Sequence, residues 1–388
     1  MHMRKATAAL VGLLLAGVAA TPAHADTIRS QQWHLDAMKA DEIWKTSTGK
    51  GVTVAVIDTG VNQIPELEGQ VLPGKAFPVG DAEMGRDNDY FGHGTGIAAM
   101  IAATGKHPTG DGAYGLAPGV KILPIRIPDM LEAASTPSMV EAIRHAADSD
   151  ARVINISMGL AGKTEDDQER AAAVKYAISK GKLIFAAVGN YGNSTNEVQY
   201  PAGTPGVVGV GAVDSKGEPT AESQHGPQVD LAAPGVDVVT ACKGKTGVCK
   251  THGTSDASAL ASASAALLWS AHPEWTNNQV LRVLLNTAGK PVDGSQRNDY
   301  VGYGIVRPRV ALQTPGDPGP ADVYPLPDLA AAAGGGQPSA SAPAAPAPAP
   351  QAAEEKKGSS SVLWVGLGLG ACVLIGGAVT AVVVRRNR

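Results

Sequence analysis

The 388-residue sequence has no excess of basic residues, and this absence bears on its partners. Its formal net charge is −4, with 32 Lys and Arg against 36 Asp and Glu. Five basic residues and no acidic residue lie in the two terminal segments considered below, so the rest of the chain carries −9. A nucleic-acid-binding domain needs a positively charged surface. The composition therefore argues against nucleic acid as a partner.

Cysteine is scarce as well, with three residues in the chain. Cys242 and Cys249 flank six residues of a loop-like segment, whereas Cys372 lies in an apolar run near the C-terminus. In an oxidising compartment, a local disulfide between Cys242 and Cys249 is the favoured interpretation. A metal site is the alternative, but it would need ligands beyond these two and His252. Cys372 is expected to serve simply as a small apolar side chain within that run.

The sequence also lacks an acidic loop with convincing calcium-site spacing. Four acidic residues lie close together, namely Asp81, Glu83, Asp87 and Asp89. A solvated loop is the preferred interpretation of this group. No metal and no other cofactor is therefore predicted.

Residues 1–25 have the pattern of an export signal. Two basic residues precede an apolar stretch over residues 6–20, and Ala23 and Ala25 supply small residues at the −3 and −1 positions of a cleavage site. The mature chain is expected to begin near Asp26. A retained signal anchor is the alternative, although the apolar run is short for a membrane span.

A second apolar segment, residues 362–384, contains no charged residue and is long enough to cross a bilayer of about 30 Å. Three arginines follow it directly, and positive residues stay on the cytoplasmic side of a membrane. A buried core helix is the less favoured alternative, because the segment follows a spacer that offers nothing to pack against. We predict a single-pass type I protein of the cell membrane, with a basic cytoplasmic tail at 385–388.

The spacer before this segment, predicted over residues 314–361, is dominated by Pro, Ala and Gly. Its Ala-Pro run at 342–350 favours extended polyproline II, which predicts a disordered but semi-rigid stalk. The remaining residues 26–313 suffice for one large domain. Residues 26–50 lead directly into the first predicted strand, so a separate pro-domain that holds the protein latent is not expected.

The domain alternates short apolar runs with stretches of helical spacing. Buried strands rich in β-branched residues are predicted at 52–57, 120–126, 153–157, 183–188 and 207–212. Helices are predicted at 95–103, 138–149, 166–180 and 255–271. This alternation predicts an α/β fold with a mainly parallel sheet covered by helices on both faces. Functional side chains are expected at the carboxyl ends of the strands.

Three short segments place an Asp, a His and a Ser in settings suited to nucleophilic catalysis. Asp58 follows an apolar strand, His93 lies between two glycines, and Ser255 opens a small-residue helix. A serine hydroxyl becomes nucleophilic only beside a base that a carboxylate orients. Alone, Asp58 could be a turn residue and Ser255 a helix cap. Together the three predict acyl-transfer chemistry.

Asn190 follows a predicted strand, at the end of the segment Ala-Ala-Val-Gly-Asn. Its amide could donate to an oxyanion formed beside Ser255, and the start of a helix at Ser255 favours the same negative charge. A lipase or esterase is a competing hypothesis. That class predicts a Gly-x-Ser-x-Gly elbow with the His last in the chain, but Ser255 lacks the elbow and His93 precedes it.

The order Asp, His, Ser and the surrounding motifs resemble the subtilisin family of serine proteases. The resemblance covers essentially the whole exported domain. Residues 153–159 resemble the family's substrate-binding strand and the wall of its S1 pocket, and the motifs at 200–202 and 232–235 follow in family order. The resemblance implies a subtilisin-like three-layer fold with these roles: Asp58, His93 and Ser255 as the triad, Asn190 as oxyanion donor, and Ser157, Met158 and Gly159 as substrate-binding residues.

Two positions depart from the family's pattern, since Gly96 replaces a common second His and Ala259 replaces a usual Pro. Changed packing rather than lost activity is expected. The layout of signal, protease domain, stalk, span and tail resembles the mycosins, the membrane-anchored proteases of actinobacterial type VII secretion systems. It implies an extracytoplasmic endopeptidase that cleaves exported polypeptides and associates with a secretion complex. A scaffold or cap of that complex is the alternative.

Overall fold

The computed structural model describes residues 27–77, 89, 91–128, 136–161, 168–243 and 247–332. The chain divides into two units, Met1–Gln337 and Pro338–Arg388, and every described residue lies in the first. The predicted signal, the apolar segment 362–384, the basic tail and residues 333–361 of the predicted stalk lie outside the described residues. Within the described ranges, no helix is both long and apolar enough to cross a membrane.

Eleven strands are found in the described part of the chain. They are β1 (Thr53–Asp58), β2 (Lys75–Ala76), β3 (Lys121–Arg126), β4 (Val153–Ile156), β5 (Leu160–Ala161), β6 (Leu183–Ala187), β7 (Gln199–Tyr200), β8 (Val208–Val213), β9 (Leu231–Pro234), β10 (Val238–Ala241) and β11 (Val248–Thr251). Seven form one sheet in the order β2-β3-β1-β4-β6-β8-β9, and every neighbouring pair is parallel. The pairs β5-β7 and β10-β11 form two small antiparallel sheets.

Ten α-helices accompany these strands within the described ranges. They are α1 (Ile28–Gln31), α2 (Trp33–Ala37), α3 (Ala40–Ile43), α4 (His93–Ala102), α5 (Thr136–Asp148), α6 (Gln168–Ser179), α7 (Thr254–Ala271), α8 (Asn277–Thr287), α9 (Pro308–Gln313) and α10 (Asp328–Ala332). A short 3₁₀ helix spans Pro65–Leu67.

The main sheet is buried on both faces, as the apolar strands predict. In β1, Val54 and Val56 face one core, which α4, α7 and α8 share. Ala55 and Ile57 face a second core, formed with α5 and α6. Successive side chains of a strand point to opposite faces, so a strand between two helical layers must be apolar throughout. The predicted α/β architecture with a parallel sheet between helices is confirmed.

The predicted strands and helices are all present, with their ends shifted by one or two residues. Further elements were not predicted, among them strand β9 and helix α8. Strand β9 lies at the sheet edge, where Pro234 is tolerated, and its Leu-Ala-Ala-Pro sequence lacks β-branched residues. Helix α8 begins with a capping box between Thr276 and Gln279, which is a sequence signal for a helix start.

The N-terminal segment 27–47 packs on the domain. The side-chain amide of Gln32 is buried and donates to the carbonyls of Tyr114 (2.8 Å) and Val239 (3.0 Å). The same segment contains a buried histidine, His34. It has no exposed surface, and neither ring nitrogen has a hydrogen-bond partner in the described chain. Burial lowers the pKa of His34 to about 3, so it is neutral in the fold.

The described residues beyond 313, which the sequence analysis assigned to the stalk, also contact the domain. Arg282 of α8 donates from Nη1 to the carbonyl of Pro318 at 2.6 Å, and the Tyr324 hydroxyl donates to the carbonyl of Gly206 at 3.0 Å. The N–H of Gly206 in turn donates to Asp328 Oδ2 at 2.6 Å. The domain boundary at residue 313 stays a prediction, but the chain contacts the domain as far as Leu329, which lies beside Gly206.

Candidate active site

The three candidate catalytic residues come from β1, α4 and α7. Asp58 is the last residue of β1, His93 the first of α4 and Ser255 the second of α7. Helices α4 and α7 pack against each other on one face of the sheet. Each follows a glycine with positive φ, Gly92 (83°) and Gly253 (133°). The carboxyl end of β1 and the N-termini of the two helices thus meet at one edge of the sheet, as expected for parallel α/β folds.

Asp58 and His93 form a close pair. The carboxylate of Asp58 has no exposed surface, and its Oδ1 lies 2.7 Å from His93 Nδ1 and accepts the N–H of Thr59 at 2.8 Å. Gly94 makes this approach possible, because a Cβ there would lie 2.2 Å from the carbonyl oxygen of Gly60. With Nδ1 bound to Asp58, the second ring nitrogen of His93 is the one available as a base.

The electrostatics of His93 favour its protonated form. The negative charge of Asp58 is the largest cause and outweighs burial, which acts in the opposite direction. The hydrogen bond to Asp58 and the charges of Asp256 and Asp89 act in the same sense as Asp58, and together they raise the pKa of His93 to about 9. Such surroundings stabilise the imidazolium that forms when His93 takes up a proton during a reaction. They also mean that His93 is a neutral base only at high pH.

Asp89 holds the start of α4 in place. It has no exposed surface; its Oδ1 accepts hydrogen bonds from Gly92 N and Thr59 Oγ1, both at 2.8 Å. Its Oδ2 accepts from Thr95 N (2.8 Å) and Thr95 Oγ1 (2.6 Å). A carboxylate in this position satisfies free N–H groups and complements the helix dipole. The prediction of a solvated loop is therefore wrong for Asp89; the other members, Asp81, Glu83 and Asp87, lie outside the described residues.

Ser255 and Ser157 form a reciprocal pair. Ser255 Oγ donates to the carbonyl of Ser157 at 3.0 Å, and Ser157 Oγ donates to the carbonyl of Ser255 at 3.0 Å. The pair fixes the start of α7 against the segment that follows β4. The Ser255 hydroxyl thus bonds to Ser157 rather than to His93, although Ser255 and His93 line the same cavity of about 400 Å³.

Asn155 supports this pair and was missed by the sequence analysis. It is fully buried in β4, donates from Nδ2 to Ser157 Oγ (3.0 Å), and accepts from Ser258 Oγ (2.9 Å) and Ser262 Oγ (3.0 Å). Ser258 and Ser262 are four residues apart, on one face of α7. A polar residue inside an otherwise apolar buried strand is the signal that could have revealed it, because such a group needs hydrogen-bond partners.

Asn190 is exposed and fixed by Thr254. Its Oδ1 accepts from Thr254 N at 2.9 Å and from Thr254 Oγ1 at 3.0 Å. Thr254 Oγ1 also accepts the N–H of Gly189 at 3.1 Å. A Cβ at Gly253 would lie 2.9 Å from Asn190 Nδ2, so a glycine is needed there. With its oxygen held against α7, the amide can present its N–H groups to an anion beside the helix N-terminus.

The predicted substrate-binding residues follow β4 directly. Ser157 and Met158 are buried, 5% and 3% exposed. A Cβ at Gly159 would lie 2.9 Å from Gln199 Oε1 and 3.2 Å from Gln199 Cβ, so a larger residue would displace that side chain. The next strand, β5, pairs with β7. Of the three residues, Ser157 bonds Ser255 directly, and the contact of all three with substrate stays a prediction.

The β10-β11 hairpin closes the opposite side of the cavity. It carries a disulfide between Cys242 and Cys249, with Cα atoms 5.8 Å apart. Gly96 also lines this cavity, and a Cβ there would meet only Thr240 Cγ2, at 3.8 Å. Ala259 is fully buried inside α7. Within the described ranges, no three His, Cys, Asp or Glu side chains are grouped so that they could hold a metal ion.

Comparison with known proteins places this geometry in a family. The Subtilase family model matches residues 49–304. A thermophilic serine proteinase of Bacillus sp. is 36% identical over 273 residues, which cover 69% of this chain and 63% of that proteinase. Mycosin-1 of Mycolicibacterium smegmatis is 32% identical over 331 residues, which cover 72% of each chain.

Two solved structures agree in fold. The crystal structure of MycP1 from the ESX-1 type VII secretion system has a TM-score of 0.64 at 32% identity and covers 75% of this chain and 88% of that chain. A chain in the structure of an intact ESX-5 inner membrane complex has a TM-score of 0.65 at 29% identity, with 84% of each chain covered. The parallel α/β fold is therefore the subtilisin-like one.

Proposed function

The chain belongs to the subtilase family of serine proteases, and we propose that it is a membrane-anchored extracytoplasmic endopeptidase whose triad is Asp58, His93 and Ser255. The observation that carries this proposal is the buried Asp58 carboxylate 2.7 Å from His93 Nδ1, with Ser255 on the same cavity. A carboxylate held in this way orients the imidazole and stabilises its protonated form.

Hydrolysis then proceeds in two steps. Ser255 Oγ attacks the scissile carbonyl carbon while the free ring nitrogen of His93 takes the hydroxyl proton, and a tetrahedral oxyanion forms. The Asn190 amide and the free N–H of Ser255 donate to this oxyanion. The intermediate collapses as His93 passes the proton to the leaving amine and leaves an acyl group on Ser255. Water, activated by His93, hydrolyses that ester.

The substitution Ser255→Ala tests the proposal, because it removes only the nucleophilic hydroxyl and leaves a good helix former at the start of α7. We expect peptide hydrolysis to fall by about a million-fold while the circular dichroism spectrum stays that of the folded chain. Ser270→Ala is the matched control: it lies in the same helix, and its hydroxyl bonds the carbonyl of Lys50 at 2.7 Å. Equal activity of Ser255→Ala and Ser270→Ala would reject the assignment.

The location and substrates of the enzyme are proposed on separate grounds. Its likeness to Mycosin-1 and to MycP1 of a type VII secretion system, together with the export signal and the apolar segment 362–384, supports a protease anchored outside the membrane that processes exported polypeptides. Deletion of residues 362–388 tests the anchor. The proposal predicts that the protease moves from the membrane fraction to the medium; retention in the membrane would contradict it.

A second role is favoured by the likeness to a chain of an intact ESX-5 inner membrane complex. In that role the domain is a scaffold or cap of a secretion complex and its catalysis is secondary. Secretion in a strain that carries Ser255→Ala separates the two. Secretion lost as fully as in a deletion strain supports a catalytic role, whereas normal secretion supports scaffolding.

A further inference from the structure

Asp256 is a buried carboxylate directly beside the candidate nucleophile that the mechanism above does not use. It is 4% exposed and lies in the first turn of α7, next to Ser255. Its Oδ2 is buried and has no hydrogen-bond partner in the described chain. A buried, incompletely bonded carboxylate costs stability unless another charge offsets it. The helix dipole at the start of α7 supplies part of this compensation.

His93 shares a cavity with Asp256 and can supply the rest of the compensation when it is protonated. Both residues line the cavity of about 400 Å³ between α4, the β10-β11 hairpin and the start of α7. The other groups of that wall with a charge or an ionisable proton are the exposed Lys243, Lys250 and His252. Lys250 Nζ lies 3.0 Å from Asp237 Oδ1, and His252 Nε2 lies 3.9 Å from Glu222 Oε2.

We infer that Asp256 is a second carboxylate acting on His93: it stabilises the imidazolium electrostatically and thereby sets the pH at which His93 becomes a free base. The inference rests on the proposed function, since only a catalytic His93 makes this effect visible in the rate. Asp58 orients His93 through a hydrogen bond at 2.7 Å. In this role Asp256 acts only on the charge of His93 and takes no part in the proton transfer, which makes it a positioning residue.

The titration of the two groups agrees with this arrangement. Burial raises the pKa of Asp256 to about 6, although a hydrogen bond with Thr251 and the charges of His93 and His252 act in the opposite direction. Asp256 in turn contributes to the raised pKa of His93. Above pH 7 Asp256 is therefore mostly ionised, and its charge opposes deprotonation of His93.

Removal of this charge has opposite consequences at low and high pH. In Asp256→Asn, a larger fraction of His93 is neutral near pH 7, so kcat/KM rises there. At pH 10, where His93 is already neutral, the developing imidazolium has lost one stabilising charge and kcat/KM falls. We expect the acid limb of the pH profile to shift to lower pH by at least about half a unit. Near pH 7 this shift raises kcat/KM about threefold. A merely structural role would lower activity at every pH.

The experiment uses the full-length chain and measures whether kcat/KM rises at pH 7 and falls at pH 10. The pH profiles of kcat/KM are compared for the wild type, Asp256→Asn, and Asp299→Asn, an exposed carboxylate paired with Arg297 that serves as matched control. The imidazole signal of His93, identified by its loss in His93→Gln, is titrated by NMR in a Ser255→Ala background that carries Asp256→Asn, Asp299→Asn or no further change. If Asp256→Asn lowers the folded fraction, the variant Asp256→Ser, which removes the same charge, is used in its place.

A downward shift of the His93 titration in the Asp256 variant, absent from the Asp299 variant, supports the inference. An unchanged His93 titration in a chain that cleaves peptides overturns it and leaves the proposed function intact. A chain that cleaves no peptide at any pH, but whose His93 titration still shifts, rejects the proposed function and supports the electrostatic coupling.

Discussion

Two helix N-termini meet at the candidate site, and they hold their reactive side chains in different ways. At the start of α4, buried carboxylates surround His93: Asp58 bonds its ring and Asp89 bonds the helix backbone. At the start of α7, neutral amides and hydroxyls position Ser255: Ser157 bonds it directly, and Asn190 bonds Thr254 beside it. The negative charges at the start of α4 favour the protonated form of His93. On the other side, the groups that bond Ser255 and Thr254 are neutral, which suits a developing oxyanion, and the one carboxylate of that first turn, Asp256, is assigned to His93.

Removal of one hydrogen-bond donor at the start of α7 is expected to lower activity more than removal of one carboxylate at the start of α4. Asn190→Ala deletes the amide that is proposed to donate to the oxyanion, and kcat is expected to fall by about 10²–10³ with little change in KM. Steady-state kinetics on a peptide substrate measure both constants. Asn193→Ala, an exposed asparagine of the same loop, is the matched control. A loss confined to KM would place Asn190 in ground-state binding instead.

The sequence predicted the features that are local in the chain and missed those that depend on distant contacts. The strand that ends at Asp58 and the helix starts near His93 and Ser255 are local in sequence, so periodicity and motif predicted these elements to within two residues, whereas the triad roles stay a prediction. Asp89 was misjudged because acidic neighbours in sequence favoured a solvated loop, whereas its burial depends on Thr59, thirty residues earlier. Asn155 has partners about a hundred residues later, on α7. Contacts of that range are fixed by tertiary packing, which neither propensity nor spacing contains.

The charged α4 side determines the pH dependence. Because Asp58 and its neighbours raise the pKa of His93 to about 9, and because the base must be neutral, kcat/KM should rise with pH. Between pH 7 and pH 9 the increase is expected to be at least about tenfold, in a profile measured at constant ionic strength. A plateau already reached at pH 7 would show that the carboxylates do not act on His93 in this way.

Asp89 tests whether the start of α4 is held by charge. Asp89→Asn keeps the shape but cannot accept all four hydrogen bonds, so we expect about 2–3 kcal/mol less stability. A misplaced His93 should also lower kcat by about tenfold. Urea unfolding and steady-state kinetics measure the two effects. Full stability with full activity would show that Asp89 is dispensable for the position of α4.

Two glycines of α4 give a smaller and purely steric comparison. A Cβ at Gly94 would lie 2.2 Å from the carbonyl of Gly60, whereas a Cβ at Gly96 would meet nothing closer than 3.8 Å. Gly94→Ala should therefore destabilise the fold by about 1–3 kcal/mol. Gly96→Ala should stabilise it by up to about 1 kcal/mol, since alanine favours a helix. Thermal unfolding of both variants measures the difference, and equal midpoints would contradict the described packing of α4 on β1.

The central claim is that Ser255 is a nucleophile activated by His93. Labelling of the full-length chain with a serine-directed fluorophosphonate, followed by mass spectrometry of the adduct, tests it most directly. The account predicts one major adduct, on Ser255, formed faster at pH 9 than at pH 7 and abolished in Ser255→Ala and slowed in His93→Ala. An adduct on a different serine, or labelling that persists undiminished in Ser255→Ala, would contradict it.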